Sequence, residues 1–407
     1  MNAVNLVIDL ATTLETSPNN LKSDRFGSGS YLASDVTVLL DMVDKNAVAD
    51  VPVAQKEALI QSGQRHYSDM ITLEGAPSAM HEQLYKQALT QGTERTATDI
   101  ANLAYTLHQT FAHTVTLEQP LILVSLVRAG LPVGVLLQRA LMDSDSSYPL
   151  PSVHYGISII RDRGLDPVAL QMILNGYPNS PIVFVDGWTG KGAIYQELAT
   201  SLAPFRDPNH PNFANIFHQG MDVIPLLTLA DPAGVAWLAA SEDDWLIPSG
   251  LLNSTVSGLI SRSLYTEPQG GLHRSVFYDN LIACDQSLAF INVINKARQQ
   301  LTTLLTKPPK RLQTFQEPRY TTRPIIDMLA TRYQINNRNR IKPTIAEATR
   351  AILRRDPECV LLANADHPDT ALLRHLCAER DIQVAILGTD ILPYQAVTII
   401  KQRTTNP

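Results

Sequence analysis

The chain has 407 residues, 44% of them hydrophobic and 18% charged, with a formal net charge of -6. That length suggests two or three domains, and that composition supplies a sizeable core, which excludes a disordered chain. No apolar run is long enough to span a membrane, no basic segment leads into an apolar one at the N-terminus, and three scattered cysteines exclude a disulfide scaffold or a zinc site.

Residues 1–30 read as a partly ordered lead-in ending in a flexible Gly/Ser turn. Residues 61–68 crowd Arg65, His66 and Tyr67 together, as a lobe over a site would; a cap and turn is the plainer alternative. Residues 78–113 carry apolar side chains near a 3.6-residue period and predict a helix. Residues 120–124 predict a buried strand that runs into Ser125, Arg128, Ala129 and Gly130, then into a helix with Pro132 near its start. A guanidinium on that turn can grip two phosphate oxygens, so Arg128 is a binding candidate, against the alternative of an exposed loop arginine. Residues 153–160 alternate as a strand does, with His154 read as a core histidine, and Arg161 and Arg163 follow.

Residues 181–194 form the most informative stretch. Residues 182–185 are an unbroken apolar run suited to a buried parallel strand. Asp186 ends it, Thr189, Gly190, Lys191 and Gly192 form a turn, and a helix starts after them. Backbone N–H groups of such a turn and the helix dipole favour an anion. A tight turn that merely needs glycine is the plainer alternative. Residues 223–229 predict another strand, with Asp231 at its carboxyl end, and Glu242, Asp243 and Asp244 form an acidic cluster. Asp231, Asp243 and Asp244 are candidates for a metal. Residues 252–262 have the Ser/Thr/Asn density of a helix start.

Charge is unevenly spread: residues 1–306 hold 17 Lys/Arg and 29 Asp/Glu, about -12, whereas residues 307–407 hold 16 and 10, about +6. A basic C-terminal part suits nucleic acid. Residues 307–324 are proline-rich and basic, as an interdomain linker is. Beyond them a helix over 344–355 opens with Thr344 and Glu347 spaced as a capping box. A strand over 359–363, a helix over 368–380 and a strand over 384–387 complete a small three-layer α/β domain over 325–407.

The turn at Ser125–Gly130 resembles the pyrophosphate loop of uracil-type phosphoribosyltransferases, and residues 182–192 resemble the loop of type I phosphoribosyltransferases, with Gly187 in place of that family's second acid. The C-terminal part, with Asn336, Asn337, Arg338, Arg340 and Lys342 before its first helix, resembles the Pelota-like domain. Its relatives face RNA with that loop and, more weakly here, through Arg350. Taken together, residues from about 25 onward resemble a bacterial family that couples a phosphoribosyltransferase-like body to a Pelota RNA-binding domain. Its members sit in stress-response or tellurium-resistance gene neighbourhoods and are also labelled cysteine protease StiP. The resemblance implies a type I phosphoribosyltransferase-like parallel-sheet body over 1–306. That body would bind a phosphorylated ribose or nucleotide, with Mg2+ as cofactor and phosphoribosyl pyrophosphate as substrate. In that reading Ser125, Arg128, Ala129 and Gly130 hold pyrophosphate, Thr189, Gly190, Lys191 and Gly192 hold the 5′-phosphate, and Asp186, Arg161 and Arg163 are catalytic. RNA is the expected partner of the C-terminal domain, the cytoplasm the expected location, and a homodimer is left open. Two alternatives stand beside the transferase. One is a cysteine peptidase using Cys284, the body's single cysteine, with His273 nearest in sequence. The other is a nucleotide-sensing RNA binder without turnover.

Overall fold

Aliphatic runs without a polar break are stable only as strands covered on both faces, and such runs build the larger part of this protein. The computed structural model describes residues 27–217, 223–303 and 309–402. Residues 1–26 of the expected lead-in and 307–308 of the expected linker lie outside them. In chain order the first elements are β1 (Thr37–Val38), β2 (Asp41–Val43), α1 (Val53–Gln61) and α2 (Ala79–Phe111). Next come β3 (Leu121–Val127), α3 (Gly130–Leu141), β4 (Ser152–Ile160), β5 (Gly164–Leu165) and α4 (Pro167–Gly176). The body continues through β6 (Ile182–Trp188), α5 (Ala193–Leu202), α6 (Phe213–Ile216), β7 (Leu226–Ala230), β8 (Leu238–Ser241), β9 (Arg274–Val276) and α7 (Ser287–Thr303).

The main sheet runs β1-β4-β3-β6-β7-β8, parallel throughout, with β5 antiparallel on β4. All seven residues of β3 are buried. The chain moves from β3 to β4 on one side and returns to β6 on the other. The carboxyl ends of β3 and β6 therefore flank a switch point, where open α/β sheets leave a crevice. Both glycine turns read from the sequence lie there.

The smaller C-terminal domain contains α8 (Arg323–Arg332), β10 (Ile341–Pro343), α9 (Ile345–Arg354), β11 (Pro357–Leu362), α10 (Ala371–Glu379), β12 (Gln383–Ile386) and β13 (Ala396–Ile400). Its sheet is mixed, in the order β10-β13-β11-β12. Strand periodicity divides its residues: Leu361 faces the cluster of α8, whereas Val360 and Leu362 face α9 and α10. The latter cluster is continuous with the body, since Ile345, Ala348 and Ile352 share it with Trp245, Leu251 and Leu252.

Three local expectations change. Residues 252–262 hold a short 3-10 turn at Ser254–Val256 rather than a helix start; Ser254 donates its amide to Glu74, and Ser257 to the Ser254 carbonyl. The described part of the linker is packed rather than free, with the Phe315 amide donating to Trp237 O at 2.8 Å. Thr344 accepts the Glu347 amide at 3.2 Å, but Glu347 turns its carboxylate to Lys342, so only half of the capping box forms.

Gly130 opens α3 directly behind the sheet. A Cβ there would stand 2.1 Å from the Val185 carbonyl oxygen, which belongs to the backbone of β6 and cannot swing away. Gly130→Ala should therefore destabilise the protein by roughly 1–3 kcal/mol, the range for overpacking. A lowered urea midpoint would report this; an unchanged midpoint would mean that β6 yields to the methyl group.

Candidate functional site

The switch-point crevice is a cavity of about 250 Å3 whose walls come from both domains. Arg128 leaves the end of β3 and is buried. Its guanidinium donates to Glu74 Oε1 at 2.7 Å, to Ile260 O at 3.2 Å and to Asn253 Oδ1 at 3.3 Å. Ser125 sits deeper, 2.7 Å from His154 Nε2 and 2.9 Å from Gly130 O. His154 Nδ1 is 2.8 Å from Asp35 O, and burial lowers the imidazole to about 4, so it stays neutral as a core histidine would. A Cβ on Gly134 would lie 2.1 Å from Ser125 Oγ, so this pair is walled in. Ala129 precedes α3 and Gly130 begins it.

The β6 turn is held by protein groups. Thr189 Oγ1 donates to Asp231 Oδ1. Gly190 O accepts from Tyr394 Oη at 2.8 Å. Lys191 Nζ donates to the carbonyls of Arg338 and, at 3.1 Å, Ile341, and burial lowers the ammonium to about 8. Gly192 adopts a φ of 82°, which glycine tolerates, at the start of α5. Asp186 accepts from the Gly187 amide at 2.8 Å, and burial lifts its carboxyl to about 7. The C-terminal domain thus engages the Lys191 ammonium that was expected to meet a phosphate, while the body's Asp231 takes the Thr189 hydroxyl.

Arg161 donates its backbone N–H to Tyr67 Oη at 2.7 Å and reaches Asn339 Oδ1 at 3.2 Å. Arg163 turns away to Asp69 at 2.9 Å and lies 3.8 Å over the Tyr265 ring. The three acids read for a metal are apart in role. Asp231 accepts from Thr189 and from the Val235 and Ala236 amides, Asp243 is exposed beside Arg95 at 2.6 Å, and Asp244 is buried under α9. Among the described residues no group of three or more His, Cys, Asp or Glu side chains is placed to hold a metal ion.

Of the loop read for RNA, Asn336, Asn337 and Arg338 are exposed. Asn337 caps the Asn339 amide, and Arg338 pairs with Asp327 at 2.6 Å. Arg340 and Lys342 point inward. Arg340 donates to Ile400 O and Glu358, while Lys342 lies 3.5 Å from Glu347 in the seam between the domains. Sequence reasoning passed over Glu74, Lys56, Arg262 and Arg354, all of which line this region. The one signal available was the i, i+4 spacing of Arg350 and Arg354, which puts both on one helical face.

Cys284 ends a short 3-10 turn and is half-buried. Its Sγ donates to Leu281 O at 3.3 Å, and burial, with Glu82 and Asp285 adding to it, raises the thiol above its ordinary value. His273 does not meet it: its Nδ1 is 2.8 Å from Ser158 Oγ and its ring packs on Tyr265. Burial also raises Cys359 and Cys377, each to about 11.

The raised Asp186 carboxyl has a consequence for stability. A buried acid with a folded value near 7 and an unfolded value near 4 stabilises the fold fully below pH 4, and that contribution is lost as pH rises through 7. Asp186→Asn keeps an acceptor for Gly187 without the charge. It should match wild type near pH 4 and exceed it at pH 8 by roughly 2–4 kcal/mol, at about 1.4 kcal/mol per unit. Thermal unfolding at the two pH values measures this; a variant less stable at pH 8 would show that the ionised carboxylate is held favourably.

Comparison with known proteins adds an independent line. Residues 29–295 match the family described as tellurite-like stress resistance cysteine protease StiP. Residues 321–402 match the PELOTA RNA binding domain, which supports RNA binding by the C-terminal region. A protein of Acinetobacter baylyi named cysteine protease StiP is 46% identical over 390 residues, covering 92% of this chain and 94% of its own length. These matches overturn the phosphoribosyltransferase reading and the glycosyltransferase chemistry built on it. The physical reason is visible in the turn of Thr189–Gly192, whose Thr189 hydroxyl and Lys191 ammonium face Asp231 and the 338–341 backbone. With two thirds of the residues matched by one description and a relative aligned nearly end to end, the chain belongs to the tellurite-like stress resistance cysteine protease family, StiP.

Proposed function

We propose that this protein is a thiol-dependent peptidase whose body is joined to an RNA-binding domain, with Cys284 as the nucleophile. The observation that carries the reading is positional. Cys284 is the one cysteine inside the family-matched span 29–295, since Cys359 and Cys377 both fall beyond it. It also stands at the end of a surface turn, whereas Cys377 is packed in the core beside Leu372 and Leu376.

Thiol hydrolysis needs the thiolate, and in this arrangement the thiol holds its proton. Peptide cleavage at Cys284 therefore requires a proton acceptor. Glu82 and Asp285 are the acids whose charge acts on it, and each could take the proton only from a geometry closer than the present one. RNA capture by the C-terminal domain would bring the peptidase to ribonucleoprotein substrates, which is what a fusion of these two parts can do that neither does alone.

The test is cleavage of a denatured protein substrate by the full chain, with and without RNA. Cys284→Ala should abolish cleavage while Cys359→Ala retains it within about twofold, as expected for loss of a nucleophile against a packing change. Cleavage by Cys284→Ala at the wild-type rate, or none by the wild type in either condition, would overturn the assignment.

A further inference from the structure

Beside the crevice, the seam between the two domains opens into a cleft of about 520 Å3 whose lining holds nine Lys and Arg side chains against three acids. Two smaller cavities, of about 420 and 250 Å3, share its walls: Arg262 and Arg354 line all three. Among the described residues, six of these cations, Arg65 and the five that follow, have no carboxylate within ion-pair distance. Lys56 donates to Thr72 Oγ1, Arg161 to Asn339, Arg262 to the Met70 carbonyl, Arg350 to the carbonyls of Ser249, Gly250 and Leu252, and Arg354 to Arg350 O. Arg161 Nε is also buried without a hydrogen-bond partner among the described residues.

Cations out of water and without counter-charge are costly, and the cost shows here. Burial lowers Lys56 to about 8 and Arg354 to about 10, with neighbouring arginines adding to both shifts. Domain docking alone does not explain the group, because docking by charge needs acids in matching number. The ion pair that joins body and C-terminal domain in this cleft, Arg355 with Glu57, leaves these six out. The seam also draws cations from a body that is about -12 overall.

We propose that this cleft receives a strand of RNA, so that the body supplies part of the RNA interface. The inference rests on RNA binding by the C-terminal domain and adds where the strand goes. Three observations favour a strand. The cations follow a series of adjoining cavities, as a repeating phosphodiester requires, rather than ringing one point. Asn337 and Asn339, from the exposed loop of the RNA-binding domain, stand on the cleft wall, so the loop and the cations form one continuous surface. Aromatic faces lie among the cations, with Arg262 5.4 Å from the Tyr67 ring and Arg350 4.7 Å from the Trp188 ring, and bases stack on such faces.

The experiment is fluorescence anisotropy of the full chain with a labelled single-stranded RNA of about 12 nucleotides, at several salt concentrations, for wild type, Arg65→Ala and Arg354→Met. Arg65 is an exposed body residue on the cleft wall. Each variant should bind about tenfold more weakly at low salt, with the slope of log affinity against log salt reduced by about one. Arg354→Met should also raise the thermal unfolding temperature of the free protein, which a merely structural arginine would not do. Wild-type affinity and slope in both variants would overturn the cleft while leaving RNA on the C-terminal domain. Full displacement of the RNA by a nucleoside triphosphate at equal affinity would also overturn it, assigning the cleft to a small nucleotide. No RNA binding by wild type at low salt would defeat the RNA reading itself.

Discussion

Both carboxylate oxygens of Asp244 accept the amide of Ile345, at 3.0 and 3.1 Å, and one of them also accepts the Gln395 amide at 2.8 Å. A helix presents unsatisfied N–H groups at its first turn, and here a body residue satisfies one of them for the C-terminal domain. The contact sets α9 over the carboxyl ends of β3 and β6. Everything that distinguishes the site follows from that placement. Glu347 and Arg350 reach the switch point, Tyr394 meets Gly190, and the Lys191 ammonium finds the backbone of the 338–341 segment. The shared apolar cluster of Ile345, Ala348 and Ile352 with body leucines supplies the area that such a polar contact alone would not. A buried acid at the joint is weak as a source of stability, and burial lifts Asp244 to about 7; its role is to fix one orientation.

That orientation creates the cation imbalance. α9 carries Arg350 and Arg354 on the face turned to the body, and the body answers mainly with cations, Arg128, Arg161, Arg262 and Lys56. Glu74, Glu57 and Glu347 pair with Arg128, Arg355 and Lys342 in the same seam. Like charges held together in a low-dielectric seam are tolerated when a ligand supplies the counter-charge, and functional sites commonly carry such a cost in stability. The thiol proposed as nucleophile, Cys284, lies on another turn, the one before α7.

Much of the frame was legible in the sequence for a simple reason. β3 and β6 are covered on both faces, so they appear as unbroken apolar runs, and the glycine turns after them mark the switch point. The helix at Ala79–Phe111 showed its period, and the strands and helices of the C-terminal domain fell close to their expected places. β13 carries the same kind of run, Ala-Val-Thr-Ile-Ile, yet went unread although it is central to its sheet. The site was less legible because its partners are distant in the chain. Lys191 looks like a phosphate cation until its contacts 147 and 150 residues away are known, and no local pattern announces them. Arg340 and Lys342 look like a basic loop until β10 turns them inward. His273 is near Cys284 in sequence but belongs to the opposite wall, bonded to Ser158 at the end of β4.

The central claim is that Asp244 holds the C-terminal domain over the switch point. Amide hydrogen exchange in the full chain tests it at the two amides concerned. Ile345 and Gln395 should be protected in wild type and should exchange at least about tenfold faster in Asp244→Ala, while amides in β3 keep wild-type protection, because local opening here is separable from global unfolding. Unprotected Ile345 and Gln395 amides in wild type, or equal exchange in both proteins, would contradict the account.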